Sequence, residues 1–315
     1  MTHDRKLLIV ADDGFTVFVS TRAALAGEPA IVGYLQDLPG DVEDNDPGEV
    51  NVNVSPDDRF AFVSDEQNLT ITVIDLSKAR GNRFSRDAIV GQIPVANAPI
   101  ALTFSRDGRY LFTTSEIARR AYGWPKICRP EGAPQTDPPT NPAGAIITID
   151  VQKAESDPEH SIVSEEPADC SPVRMSMSPD GATLWVSNRA SNTVTEFTTE
   201  ALIARSEHAR IATIAVGSNP VPILASRDGR YVLVGETNRF GPGGTGAGVI
   251  AVIDATSKKV VGSIPVGTFP REFSYGVGAT IFLANYRSNS LTIFDAARIA
   301  DLVTRALPSL QTKGN

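Results

Sequence analysis

Strand-sized apolar runs recur along this chain, each introduced by a short polar turn. Ser55-Pro56-Asp57-Asp58-Arg59 leads into Phe60-Ala61-Phe62-Val63-Ser64, and Ser105-Arg106-Asp107-Gly108-Arg109 leads into Tyr110-Leu111-Phe112-Thr113-Thr114-Ser115. Ser178-Pro179-Asp180-Gly181 and Ser226-Arg227-Asp228-Gly229 stand in the same way before Leu184-Trp185-Val186-Ser187-Asn188 and Tyr231-Val232-Leu233-Val234-Gly235-Glu236. Asp-Gly supplies the positive φ of a primed turn at little cost, which predicts a two-residue hairpin at the head of each unit. A third run ends in aspartate: Thr72-Val73-Ile74-Asp75, Ile147-Thr148-Ile149-Asp150, Val252-Ile253-Asp254 and Thr292-Ile293-Phe294-Asp295. A fourth follows in the better-kept units, for example Val260-Val261-Gly262-Ser263-Ile264-Pro265-Val266-Gly267. Four antiparallel strands per repeat make a propeller blade, so the fold class read from the pattern is an all-β β-propeller.

The second strands end at Ala11, Ser64, Ser115, Ser187, Gly235 and Ala284, spaced 53, 51, 72, 48 and 49 residues apart. The two chain ends pool into one more repeat length. Six blades is the count, with seven as the alternative, in a single domain over residues 1–315. The first unit lacks an inner strand and the last an outer one, so residues 296–315 are expected to help close the ring; a short terminal helix over Ala296 to Leu307 is the competing reading.

These units resemble the YVTN-type propeller repeat, here Ser226-Arg227-Asp228-Gly229-Arg230-Tyr231, then Ala251-Val252-Ile253-Asp254 and Val260 to Gly267. They are also similar to the lactonase-like and carboxymuconate-cyclase-like propellers. That second resemblance implies a small-molecule enzyme, although the scaffold hosts enzymes, binders and surface proteins alike.

The long departures from the repeat fall on one rim: the acidic connector Gln36–Val50, the insert 116–144 and the glycine loop Thr237–Gly248. Function concentrates on loops carried by a rigid scaffold, which places the site on that rim, at the mouth of the channel. The insert supplies Arg119, Tyr122 and Trp124 as a pocket wall, or else packs its two aromatics onto a blade. Positions just past each second strand, Asp12, Asp65, Glu116, Asn188, Glu236 and Asn285, make a ring of carboxylates and amides. Such a ring suits acid–base work or an oxygen-ligated divalent cation, but the same residues also serve local turn hydrogen bonds. Two inner strands start on charge, at Pro172-Val173-Arg174 and Pro270-Arg271-Glu272, where most start on apolar residues. An arginine there would bind a carboxylate or steady an oxyanion, with a salt link between blades as the structural alternative.

The expected catalytic residues are therefore Glu116, Glu236, Arg174, Arg271 and Glu272, and the expected substrate contacts Asp65, Arg119, Tyr122, Trp124, Asn188, Arg239, Asn285 and Tyr286. The reaction class is an acid–base cyclisation, isomerisation or lactone opening; a non-catalytic interaction propeller is the alternative. Gly241-Pro242-Gly243-Gly244-Thr245-Gly246 matches a dinucleotide fingerprint in letters only, because a strand follows it where a helix is required. His3, His160 and His208 lie outside the repeat core, which argues against a histidine–metal centre or a Ser-His-Asp relay. No cofactor is expected beyond the cation already named.

A net charge of -8, with Asp41-Val42-Glu43-Asp44-Asn45-Asp46 on the functional rim, speaks against nucleic acid as a partner. No apolar run reaches bilayer length, and the chain reads as cytoplasmic with a small-molecule partner. Cys128 and Cys170 read as free thiols, one bridge between them being the alternative.

Overall fold

The computed structural model describes residues 1–12, 14–36, 48–134, 136–206, 208–239 and 247–306. The acidic connector and the glycine loop singled out above fall largely outside these residues.

Every sheet is antiparallel. The first contains β1 (Leu7–Asp12), β2 (Phe15–Ser20) and β3 (Ile31–Gln36). The second contains β4 (Glu49–Val54), β5 (Phe60–Asp65), β6 (Thr70–Asp75) and β7 (Ile89–Pro94). The third begins with β8 (Asn97–Phe104) and β9 (Tyr110–Ile117). A two-stranded ribbon, β10 (Lys126–Cys128) with β11 (Asn141–Pro142), intervenes before the third sheet resumes with β12 (Ala145–Asp150) and β13 (Ile162–Pro167). The fourth sheet contains β14 (Pro172–Met177), β15 (Thr183–Asn188), β16 (Thr193–Thr198) and β17 (Arg210–Ala215). The fifth contains β18 (Pro220–Ala225), β19 (Tyr231–Glu236), β20 (Gly248–Asp254) and β21 (Lys259–Val266). The sixth has only β22 (Pro270–Tyr275), β23 (Thr280–Asn285) and β24 (Ser290–Asp295). The repeat count of six thus matches six sheets among the described residues.

Contacts divide the chain into two compact units. The first is residues 1–124 with 144–167 and holds sheets one to three; the second is 125–143 with 168–315 and holds the ribbon and sheets four to six. The insert is therefore shared, residues 116–124 going with the first unit and 125–143 with the second.

Each core is sheet against sheet. In the first unit Leu7, Ile9 and Phe18 pack on Ala61, Val63 and Ile74, and in the second Ile250 and Val252 pack on Phe273, Ile281 and Leu283. Alternation along each strand sends these side chains to one face.

The turns at the heads of the units differ from the expectation. Ser105 N–H donates to the Tyr110 carbonyl at 2.8 Å, so the hairpin loop has four residues between its closing pair rather than two. The reason lies in the serine and aspartate. Ser105 Oγ donates to Asp107 Oδ1 at 2.6 Å while accepting from Tyr110 N–H at 3.0 Å, and Asp107 Oδ1 accepts from Arg109 N–H at 3.1 Å. The same set recurs at Ser55–Asp57, Ser178–Asp180 and Ser226–Asp228. Gly108, Gly181 and Gly229 take the left-handed position, with φ of 71°, 77° and 71°, and Asp58 takes it in the second sheet.

The aspartates ending third strands cap short helices. Asp75 Oδ1 accepts from the Ser77 and Lys78 amides ahead of Leu76–Gly81, and Asp150 Oδ1 from Lys153 ahead of Val151–Ala154. Asp295 accepts from Ala297 in the same manner, and the chain enters a helix over Ile299–Ala306. The described part of residues 296–315 is thus helical, the competing reading of that segment from sequence, and its Val303 sits against Gly262 of β21.

Candidate functional site

Inner strands of the second unit begin with a bulge. On β22, Pro270 pairs with Asn285 and Glu272 with Ala284, leaving Arg271 as the extra residue; on β14, Pro172 pairs with Asn188 and Arg174 with Ser187. Bulges re-aim the side chains they carry. Arg174 Nε donates to Glu272 Oε2 at 3.2 Å, and its Nη1 donates to the Val173 carbonyl at 3.1 Å. The Arg174 side chain is only 11% exposed, Glu272 56%. The salt link considered from sequence thus exists, between the fourth and sixth sheets.

Arg271 stands beside this pair, half-buried, in the field of three further guanidinium groups. Burial lowers its affinity for a proton first, then the charges of Arg174, Arg189 and Arg239, with Glu272 opposing them. Four arginines so placed favour an anion among them. Arg189, which the sequence did not single out, follows Asn188 at the end of β15 and is 9% exposed. Its Nε donates to the Glu131 carboxylate, contributed by the insert.

Glu131 also lines a cavity of about 790 Å³, together with Arg129, Asp169, Ser191, Asn192 and Ser218. Its frame is a Cys128–Cys170 disulfide with Cα atoms 5.5 Å apart, which corrects the free-thiol reading. Cys170 N–H donates to Ser191 Oγ at 2.8 Å and its carbonyl accepts from Ala190 N–H at 3.2 Å, so the bridge ties the ribbon to the β15–β16 turn. Nothing local in the sequence marks two cysteines 42 residues apart as partners.

Glu236, ending β19, is half-buried and accepts from Gly217 N–H at 2.8 Å. Burial raises its proton affinity above the ordinary glutamate range, the one hydrogen bond opposing. The Glu236 carboxylate lies over Gly217, in the space a Cβ there would take.

The remaining expected residues have definite places. Asn188 Nδ2 donates to Thr195 Oγ1 at 2.8 Å, and Asn285 Nδ2 to Thr292 Oγ1 at 2.9 Å, each stitching second strand to third. Tyr286 is 70% exposed beside Phe269, their rings 6.0 Å apart. In the first unit, Asp65 is fully buried and accepts from the Gly48, Gln67 and Asn68 amides at 3.2, 3.0 and 2.9 Å, which is turn chemistry. Arg119 donates twice to the Val95 carbonyl, at 3.1 and 2.9 Å. Tyr122 donates to Glu165, its proton held firmly by burial and by that carboxylate, and with Trp124 it packs on the core of sheets two and three. Glu116, half-buried, is the penultimate residue of β9 in the same unit.

Among the described residues no group of three or more His, Cys, Asp or Glu is placed to hold a metal ion. Nor is any described helix long and apolar enough to cross a membrane.

Residues 52–239 match the family described as lactonase, 7-bladed beta-propeller. The chain belongs to this family. Among solved structures it is similar to hydrazine synthase of Kuenenia stuttgartiensis, with a TM-score of 0.56 and 19% identity over 80% of this chain and 58% of that one. This lactonase-family chain thus spans somewhat more than half of that enzyme's chain. A functionally unknown protein from Desulfotomaculum acetoxidans DSM 771 gives a TM-score of 0.60 and 13% identity over 92% and 79%. At these identities the likeness is one of fold. No curated protein matches the sequence.

Proposed function

We propose that this lactonase-family chain is a small-molecule enzyme that opens or closes lactone rings, with its chemistry on the inner strands of the second unit. The observation that carries this reading is the gathering of Arg174, Arg189 and Arg239 about the half-buried Arg271, with Glu272 alongside. A cluster with that surplus of positive charge receives a carboxylate, and at a carbonyl it steadies the oxyanion of a tetrahedral intermediate.

In the opening direction Glu272 accepts a proton from water as the water oxygen bonds to the ring carbonyl carbon. Charge builds on the carbonyl oxygen, where Arg271 and Arg174 lower its energy. Collapse breaks the ring carbon–oxygen bond, and the departing ring oxygen takes the proton back from Glu272. The product is a hydroxy acid and the enzyme is restored; the reverse sequence is a cyclisation. Glu236, whose protonated form burial favours, is the reserve acid of the same unit. Glu116 belongs to the first unit and has no part in this scheme. The disulfide supports an oxidising compartment over the cytoplasm.

The test is mass-spectrometric turnover of lactones with and without a carboxylate substituent. Addition of one water, faster for the carboxylated members, is expected. Equal inertness of both sets would refute the reading.

A further inference from the structure

The third strand of the fourth sheet breaks the repeat at one buried position. Trp185 pairs with Glu196 across β15 and β16, and the same register puts Phe62 opposite Val73, Phe112 opposite Thr148 and Leu233 opposite Val252. All of these side chains are buried, so the fourth sheet holds a carboxylate where the other three hold valine or threonine.

The charge is matched. Lys258 Nζ donates to Glu196 Oε1 at 2.6 Å and stands 4.8 Å from the Trp185 ring centre. A buried ion pair adds little that well-packed apolar side chains would not supply, so its presence at a valine position points to a use other than stability. Glu196 Oε2 is a second, separate sign: it is buried and, among the described residues, has no hydrogen-bond partner. An acceptor left so is costly, and a donor brought to it recovers that cost.

Trp185, Glu196 and Lys258 all line a cavity of about 320 Å³ between the fourth and fifth sheets, whose remaining charges are Asp180, Arg227 and Asp228. Those three are engaged already. Asp180 Oδ1 and Asp228 Oδ1 hold their turns, accepting from the Ser178 and Ser226 hydroxyls at 2.6 Å each, and Arg227 donates to the Gly278 carbonyl with its guanidinium 4.2 Å from the Tyr275 ring centre. The cavity lies where β14 and β18 end, whereas Arg174 and Arg271 stand where β14 and β22 begin.

The ion pair decides the charge of what binds. A cation brought to Oε2 meets the Lys258 ammonium, and an anion brought to Lys258 meets the charge on Oε2; a neutral group with an N–H beside a C=O satisfies both at once. We propose that this cavity is a second binding site, one for a small neutral carboxamide, whose N–H donates to Glu196 Oε2 and whose carbonyl accepts from Lys258.

Benzamide, benzoate and benzylammonium present one ring with three charges. Isothermal titration of the native chain is expected to show saturable binding of benzamide, with a dissociation constant on the order of 1 mM for so small a molecule, and binding weaker by about tenfold or more for the two ions. Glu196→Val/Lys258→Met gives the fourth sheet the residue that the second and fifth carry and strands no charge, so it is expected to melt no lower than the native chain and to lose benzamide binding. Ala255→Phe, which fills the cavity and leaves the pair in place, repeats the test should that variant fail to fold. Trp124 and Trp185 are the two tryptophans of the sequence, and in a Trp124→Phe chain the emission of Trp185 is expected to shift as benzamide binds. A native chain that does not bind benzamide, the result if water alone meets Oε2, overturns the proposal. So does an ion that binds as tightly, a Trp185 emission indifferent to benzamide, or benzamide binding that survives the substitutions.

Discussion

Arg174 on β14 and Glu272 on β22 meet at 3.2 Å, the first nearly buried and the second largely in solvent. The carboxylate therefore competes with any anionic ligand for the same guanidinium, while offering itself as a base. These two roles separate by substitution. Glu272→Gln is expected to tighten equilibrium binding of a simple dicarboxylate and yet remove turnover. Arg271→Ala is expected to weaken that binding by roughly tenfold to a hundredfold, the range of a lost charge-assisted hydrogen bond. Isothermal titration of both variants checks the opposite signs.

Glu236 makes stability depend on pH in a stated direction. Burial raises its proton affinity in the folded chain, so folding is favoured most below the unfolded carboxyl's range and loses ground as pH rises toward the folded value. Thermal unfolding followed from about pH 4 to 7 is expected to show this decline in the native protein and a flatter curve in Glu236→Gln. A steeper curve in the variant would contradict it.

Gly217→Ala places a methyl where the Glu236 carboxylate lies. The side chain must swing away and give up the 2.8 Å bond from Gly217 N–H. A loss of about 0.5–1.5 kcal/mol, the worth of that hydrogen bond, is expected, and less in a Glu236→Ala background, since the clash goes with the carboxylate. Denaturant titration of the four chains of the cycle measures it.

Reduction of Cys128–Cys170 opens a loop of 42 residues. A chain-entropy estimate puts the lost stability at about 2–4 kcal/mol. Because the ribbon carries Glu131 to Arg189, a Cys128→Ser/Cys170→Ser chain is also expected to expose the ribbon to limited proteolysis between Lys126 and Arg129. Equal melting temperatures with and without reductant would count against a formed bridge.

The buried Glu196 carboxylate, 2% exposed, takes a proton donor from Lys258 Nζ at 2.6 Å, and that ammonium lies 4.8 Å from the Trp185 ring centre. Lys258→Met strands the carboxylate and is expected to cost about 3 kcal/mol or more, with Glu196→Gln/Lys258→Met recovering much of it. Chemical denaturation of both variants decides this.

The blades were legible because each repeat states its strands, its Ser-x-Asp turn and its terminal aspartate in letters. What those letters do was less so: the aspartate at Asp75 reads as a strand end, yet its carboxylate works as a helix cap. Arg174, Arg271 and Glu272 could be found as charges at the starts of inner strands where β8 and β18 carry Ile100 and Val221 after their prolines. Arg189 and Glu131 could not, since one sits a residue past the repeat's polar position and the other lies in an insert with no repeat to compare. Asp65, Asn188 and Asn285 show why a ring of polar residues misleads: the side chains that would hold a ligand are the ones that close turns and tie strands, and here they do the latter.

The measurement closest to the central claim is single-turnover hydrolysis of a carboxylate-bearing lactone by the native chain, Arg271→Ala and Glu272→Gln, each first shown to melt like the native protein. Ring opening by the native chain, and its loss by at least a hundredfold in both variants, is the predicted result, in line with an oxyanion donor and a general base each contributing about that factor. Full activity in either variant would contradict the assignment of chemistry to the arginine cluster of the second unit.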